Sequence, residues 1–215
     1  MRKGEKIALA IVIVSFVIGI CCYSQMPEKM ATHWNSKGNV DDYGTRFEGL
    51  FFLPFLLVGL FIVFMAIPKV DPLKYNIEQF RKYYDNFIVL FFILLLFCYL
   101  WSILWNFGIE TSPNIIIPTG IGLLFFYVGI LCKNAKRNWF IGIRTPWTLS
   151  SENVWNKTHE IGGKLFKIVG LIVIFGVFFQ KYVLFFILAP SLLTAGYLVV
   201  YSYYEYQKEL STPQE

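Results

Sequence analysis

Phe87-Ile88-Val89-Leu90-Phe91-Phe92-Ile93-Leu94-Leu95-Leu96-Phe97-Cys98-Tyr99-Leu100-Trp101, inside the apolar stretch 86–107, decides the fold class. It carries no charged side chain, and the stretch around it has the length of a membrane-crossing helix, which needs roughly 17 to 25 mostly apolar residues. Five more stretches of the same kind occur, at about 7–25, 48–67, 115–132, 163–179 and 182–204. The 215-residue chain is 56% hydrophobic and only 15% charged, with a mean hydropathy of +0.56. Soluble domains carry about 25% charged residues. The expectation is an all-α, polytopic membrane protein with six transmembrane helices and no soluble domain.

Orientation follows from where the cations fall. With the N terminus inside, fifteen of the 19 Lys and Arg residues lie on the cytoplasmic side, seven of them between Lys133 and Lys167. Both termini are therefore expected in the cytoplasm and the protein in the plasma membrane, as a multi-pass chain. The net charge of +5 fits anionic lipid headgroups and gives no reason to expect nucleic acid. Cys21, Cys22, Cys98 and Cys132 all sit in or at the ends of apolar stretches, which is no disulfide framework. A bulky Ile20 before Cys21 argues against lipoprotein processing, so the first helix is expected to stay uncleaved. The span interiors hold almost no ionisable residue besides Lys164 and Lys167, which weakens an ion-coupled transporter reading.

Two loops hold the remaining chemistry. In the outer loop 26–46, Asn35 through Gly38 suits a type I turn. A hairpin closed there sets Thr32–Trp34 beside Asn39–Asp41 and brings His33 near Asp41. Three readings stay open for His33, Trp34, Asn35, Gly38 and Asp41: an ordered cap, a surface for an extracellular peptide, or a metal site using His33 with Asp41 or Asp42. One histidine with loosely spaced carboxylates is a weak metal signal, so no metal and no cofactor are expected.

The cytoplasmic loop 133–162 contains Asn138-Trp139-Phe140-Ile141-Gly142-Ile143-Arg144-Thr145-Pro146-Trp147-Thr148-Leu149, then Val154-Trp155 and Thr158-His159. Aromatic rings behind Lys133, Lys136 and Arg137 favour the membrane surface. Ser150 or Ser151 is placed to cap a following helix that carries Trp155, His159 and Gly162 on one face. Trp139, Trp147 and Trp155 read as interfacial anchors, with Arg144 on a phosphate or on Glu152 or Glu160. In the alternative, Asn138, Gly142, Arg144, Thr145, Pro146, Trp147, Trp155 and His159 form a pocket or docking surface. Arg144 is the leading candidate, since a guanidinium beside a Pro-fixed turn suits a carboxylate or phosphate.

The run Ile141-Gly142-Ile143-Arg144-Thr145-Pro146-Trp147-Thr148-Leu149 with Val154-Trp155 resembles the signature of the SdpI-like family of bacterial membrane proteins. Pro27, His33-Trp34-Asn35, Gly38 and Asp41 resemble a domain of unknown function found at the N terminus of such proteins. The resemblance implies a two-part chain: 1–67, a two-helix unit with outer loop 26–46, and 68–215, a four-helix region with the signature loop 133–162. It also implies immunity against a secreted, membrane-active peptide toxin, with some members holding a cytoplasmic transcriptional repressor at the membrane. Partners are then the toxin, a repressor and membrane lipids. No catalytic residue is expected: His33 and His159 fall on opposite membrane faces, and no zinc-protease motif, nucleophile elbow or paired intramembrane aspartates appear. A membrane enzyme acting on peptide or lipid, and a small peptide or ion transporter, are the alternatives.

Overall fold

The computed structural model describes residues 1–211. Its helices are α1 (Lys3–Cys22), α2 (Arg46–Val70), α3 (Lys74–Gln79), α4 (Arg81–Asn106), α5 (Pro113–Asn134), α6 (Pro146–Ser150), α7 (Glu152–Gly176) and α8 (Val183–Ser211). Strands β1 (Lys29–Trp34) and β2 (Val40–Thr45) form one antiparallel hairpin between α1 and α2. The apolar runs become helices because hydrocarbon offers the backbone no partner, so each N–H and C=O must be satisfied within its own segment. Large side chains then face outward rather than in: Phe52, Phe55 and Ile62 on α2 and Leu192, Leu193 and Val200 on α8 are all more than half exposed.

Five helical segments are long and apolar enough to cross a membrane. The fifth, Glu152–Ser211, is 60 residues, about twice what one crossing needs. It is broken by a 3₁₀ segment, Val177–Tyr182, where Phe179 leaves helical geometry (φ −120°, ψ 56°). There α7 and α8 double back and pack on each other.

Packing forms two groups: α1, α2 and α4 on one side, α5, α7 and α8 on the other, joined along α4 and α5. The second group is held by glycines. A Cβ at Gly129 would stand 2.6 Å from the Gly163 carbonyl oxygen, and one at Gly122 would stand 2.7 Å from that of Gly170. Each pair is spaced seven along its own antiparallel helix, giving a small-residue seam that lets two backbones touch. The helix expected after Ser150 or Ser151, carrying Trp155, His159 and Gly162, is the start of α7, which runs on through Gly162-Gly163 into the apolar span without a break. Two glycines weaken an isolated helix by about 1 kcal/mol each, but here they admit the neighbouring backbone.

The bundle has two ends. At the hairpin end, Asn106 Nδ2 donates to Ala31 O (3.2 Å) while its Oδ1 accepts from Ala31 N–H (2.8 Å), so one amide side chain pairs with β1 as a further strand would. Asn114 Nδ2 donates to Ser36 O (3.1 Å), tying the hairpin tip to the start of α5. Met26 and Met30 plug the space beneath, against Leu50, Tyr99 and Ile103. At the other end Arg81, buried on α4, donates to Glu5 on α1 (2.7 Å), Asp85 (2.8 Å) and Glu78 (3.3 Å), and Arg2 also pairs with Glu78. Burying a guanidinium this well is costly, and the surrounding carboxylates offset that cost.

Candidate functional site

The irregular segment between α5 and α7 folds around Asn138, which is fully buried. Its Nδ2 donates to Lys136 O and Ile141 O (both 2.8 Å), and its Oδ1 accepts from Phe140 N–H (2.9 Å) and Ile141 N–H (2.6 Å). Every polar atom of that amide is used locally. Asp71, buried after α2, fixes the next residue by accepting from Trp139 N–H (2.9 Å). Asn76 Nδ2 donates to Arg137 O (2.7 Å).

His159 closes the loop from above. Its ring stacks on buried Trp155, with centroids 3.9 Å apart and 17° between planes. Nδ1 lies 2.8 Å from Trp155 O, and Nε2 lies 3.0 Å from Ile143 N. A carbonyl can only accept and a backbone N–H can only donate, so Nδ1 carries the proton and Nε2 is the acceptor. The imidazole is neutral and both of its nitrogens are occupied. Gly142 sits against it with φ +120°, in the region where L side chains are strained. An added Cβ there would collide with His159 Nε2. Trp155 Nε1 donates to Ala135 O (2.8 Å), which ties the end of α5 to α7.

The second half of the signature fastens to α8. Thr145 and Thr148 cap α6 reciprocally, each hydroxyl accepting from the other's N–H (3.2 and 2.9 Å), with Pro146 in the first helical turn. Thr145 Oγ1 also meets Ser202 Oγ (3.0 Å), and Trp147 packs edge-on against Tyr203 (5.1 Å). Ser151 caps α7 by accepting from Val154 N–H and donates to Glu209 (2.8 Å). Lys157 pairs with Glu205 (2.8 Å).

Of the residues singled out from the sequence, buried Asn138, Trp155 and His159 come together in one knot with Gly142 on its exposed side, while Thr145 and Trp147, with Pro146 between them, contact α8. Trp155 is core and not an interfacial anchor, because its ring is sandwiched between the loop and α7. Arg144 pairs with neither Glu152 nor Glu160: Glu160 takes Lys164 (3.0 Å), and Arg144 donates to Trp139 O (2.8 Å). Arg144 is exposed, with Trp139 and Phe140 also exposed.

At the hairpin end, Asn35 and Gly38 close the turn (Gly38 N–H to Asn35 O, 2.9 Å; Gly38 φ +83°). His33 Nδ1 lies 2.6 Å from Asp41 Oδ1. Trp34 packs among Trp101 (4.6 Å) and Trp105 (5.5 Å). Among the described residues no group of three His, Cys, Asp or Glu side chains comes together that could hold a metal ion. Sequence reasoning missed Asp71, Asn106, Arg81, Ser202 and Glu209, whose partners lie far off in the chain. It also passed over the seven-residue spacing of Gly122 with Gly129 and of Gly163 with Gly170, which was visible.

Comparison with known proteins covers both ends of the molecule. Residues 134–202 match the SdpI/YfhL protein family, and residues 10–58 match a domain of unknown function (DUF1648). The chain is similar to the immunity protein SdpI of Bacillus subtilis (strain 168), at 26% identity over 207 residues, covering 96% of this chain and 97% of that protein. No solved structure matches.

Proposed function

We propose that this SdpI-like chain is a multi-pass membrane immunity protein that protects its cell from a secreted, membrane-active peptide toxin by binding it. The single observation that carries the reading is the end-to-end similarity to an immunity protein, which spans both the hairpin and the signature segments. The geometry supports binding over bond-breaking. His159 has both ring nitrogens engaged, and the His33–Asp41 pair lies at the opposite end of the bundle.

We read the chain as six crossings, with α7 and α8 as the last two, divided into an N-terminal two-helix unit (1–67) and the remainder (68–215). In this reading the face carrying Arg2, Arg81, the signature and the end of α8 is cytoplasmic, because it holds most of the cations. Arg144 is then the working group of that face. It keeps all but one of its donors without a protein partner among the described residues, and Trp139 and Phe140 of the same loop are exposed. That suits a lipid phosphate or an acidic segment of a soluble partner such as a repressor.

Survival of a toxin-sensitive Gram-positive host tests the proposal. Cells expressing the wild-type chain should survive the peptide, and Arg144→Ala should lose protection at an unchanged membrane level. Absence of protection by the wild type, present in the membrane, overturns immunity. Equal protection by Arg144→Ala removes the signature face from the mechanism.

A further inference from the structure

Between the hairpin, α2 and α4 lies a cleft of about 680 Å³, within the size range of small-ligand sites, roughly 300 to 1,000 Å³. Its walls are aromatic, with Trp34, Trp101, Tyr99 and Phe52, and its polar rim includes the carboxylates of Asp42 and Glu48. No lysine or arginine lines it, and its one histidine, His33, is held by Asp41. The carboxylates are only partly used. The hydrogen bonds of Asp42 and Glu48 run through one oxygen each, to Tyr43 N–H and to the Thr45 N–H and hydroxyl.

A second observation points to a ligand. Trp34 Nε1 is buried and has no hydrogen-bond partner, whereas the neighbouring Trp101 Nε1 donates to Thr111 Oγ1 (2.8 Å). Buried indole N–H groups usually find an acceptor. An orphaned donor in an aromatic cleft with a negative rim asks for a guest that brings an acceptor, a positive charge and apolar surface together.

We propose that this cleft binds a cationic, otherwise apolar peptide segment, with a lysine or arginine directed to Asp42 and Glu48, apolar side chains against Trp34, Trp101 and Phe52, and a peptide carbonyl accepting from Trp34 Nε1. An anionic lipid headgroup fits poorly, because the two carboxylates would repel it and no cation in the lining would hold it. Aromatic faces and carboxylates both favour a cation, and more strongly when water is excluded. The inference deepens the toxin-binding reading by giving the peptide a chemical class and a site, and it is tested without the toxin.

The test is titration calorimetry on the full chain in phosphatidylcholine nanodiscs, with empty nanodiscs as the blank. The probe is a short acetylated, amidated peptide with one lysine flanked by leucines, compared with versions carrying norleucine or glutamate instead. The lysine probe should bind saturably, with the other two weaker by about tenfold or more, the scale of one desolvated charge contact. Asp42→Asn with Glu48→Gln should remove that preference, and Gln at 48 keeps the reach-back to the Thr45 cap of α2. Glu28→Gln with Glu110→Gln, an equal charge change outside the cleft, should leave binding intact. Trp34→Phe, which deletes only the orphaned N–H and some ring area, should weaken the lysine probe by about threefold. Equal binding of the lysine and glutamate probes, or no binding of any, overturns the proposal. Probe binding without host protection leaves the cleft standing and sinks immunity. Host protection that survives the Asp42 and Glu48 changes does the reverse.

Discussion

The two ends of this bundle spend similar residues in opposite ways. At the signature end, a segment dense in Asn, Thr, Trp and His uses nearly every polar atom on itself: Asn138 on its own loop, His159 on Trp155 O and Ile143 N–H, Thr145 on Thr148 and Ser202. At the hairpin end, a plainer segment leaves a cleft, an unpaired indole N–H and carboxylates with oxygen to spare. Richness in polar and aromatic types therefore marks where the fold is built, while openness marks where a guest can enter. What the signature end leaves over, among the described residues, is the buried Thr158 hydroxyl, which has no partner either, and at its surface one arginine and two exposed rings.

Matched substitutions at the two ends sharpen this contrast. Gly142→Ala should be the most damaging, by about 3 kcal/mol or more, since it adds left-handed strain to a collision with a buried, fully bonded histidine. Gly38→Ala meets nothing nearer than Pro113 Cδ, 3.4 Å away, and should cost about 1 kcal/mol. Thermal unfolding of the purified variants in detergent checks both. Equal losses would mean that the signature knot is no tighter than the hairpin turn.

Asn138→Ala comes next. It strips partners from four backbone groups in a buried loop, an expected loss of about 2 to 4 kcal/mol. Asn35→Ala loses its bonds from Lys37 N–H (2.9 Å) and Asn39 N–H (3.2 Å), but water replaces them at an exposed turn, so less than about 1 kcal/mol is expected. Comparable unfolding midpoints for the two variants would break the comparison.

The tryptophans give a smaller and more pointed difference. Trp155→Phe orphans Ala135 O and should cost about 1 to 2 kcal/mol. Trp34→Phe removes a donor that has no partner, so its loss should stay within about 0.5 kcal/mol beyond the change in ring area. A Trp34→Phe penalty equal to that of Trp155→Phe would show that the indole N–H is satisfied in the unliganded protein.

Much of this was legible in the chain, and the limits have physical causes. Hydropathy locates the helices because the solvent of the span admits few alternatives, and Asn35 with Gly38 locates the hairpin because turn chemistry is local. The loop between α5 and α7 was readable as a folded object from Gly142, Pro146 and its aromatic rings. Which of its residues face inward was not, because burial depends on Asp71, Asn76, Ser202 and Glu209, brought in from elements whose docking no local pattern encodes. Arg81 shows the same limit: counted by sign it is one more cation for orientation, yet in the fold it is a buried clamp on α1.

Arg144 and Arg46 give the smallest effect on stability and separate the ends most sharply in function. Each donates to one backbone carbonyl, Arg144 to Trp139 O (2.8 Å) and Arg46 to Pro27 O (3.4 Å), and Arg46 also lies over the Tyr23 ring (5.4 Å). Alanine at either should shift stability by no more than about 0.5 kcal/mol, as for most surface changes. Only Arg144→Ala is expected to abolish host protection, because Arg144 sits in the signature loop with exposed Trp139 and Phe140, while Arg46 does not line the cleft. If both variants protect, the signature knot serves only to close the bundle, and immunity runs through the hairpin end alone. If neither protects at normal membrane levels, the two ends act as one device, and the contrast between a closed end and an open one holds for structure but not for function.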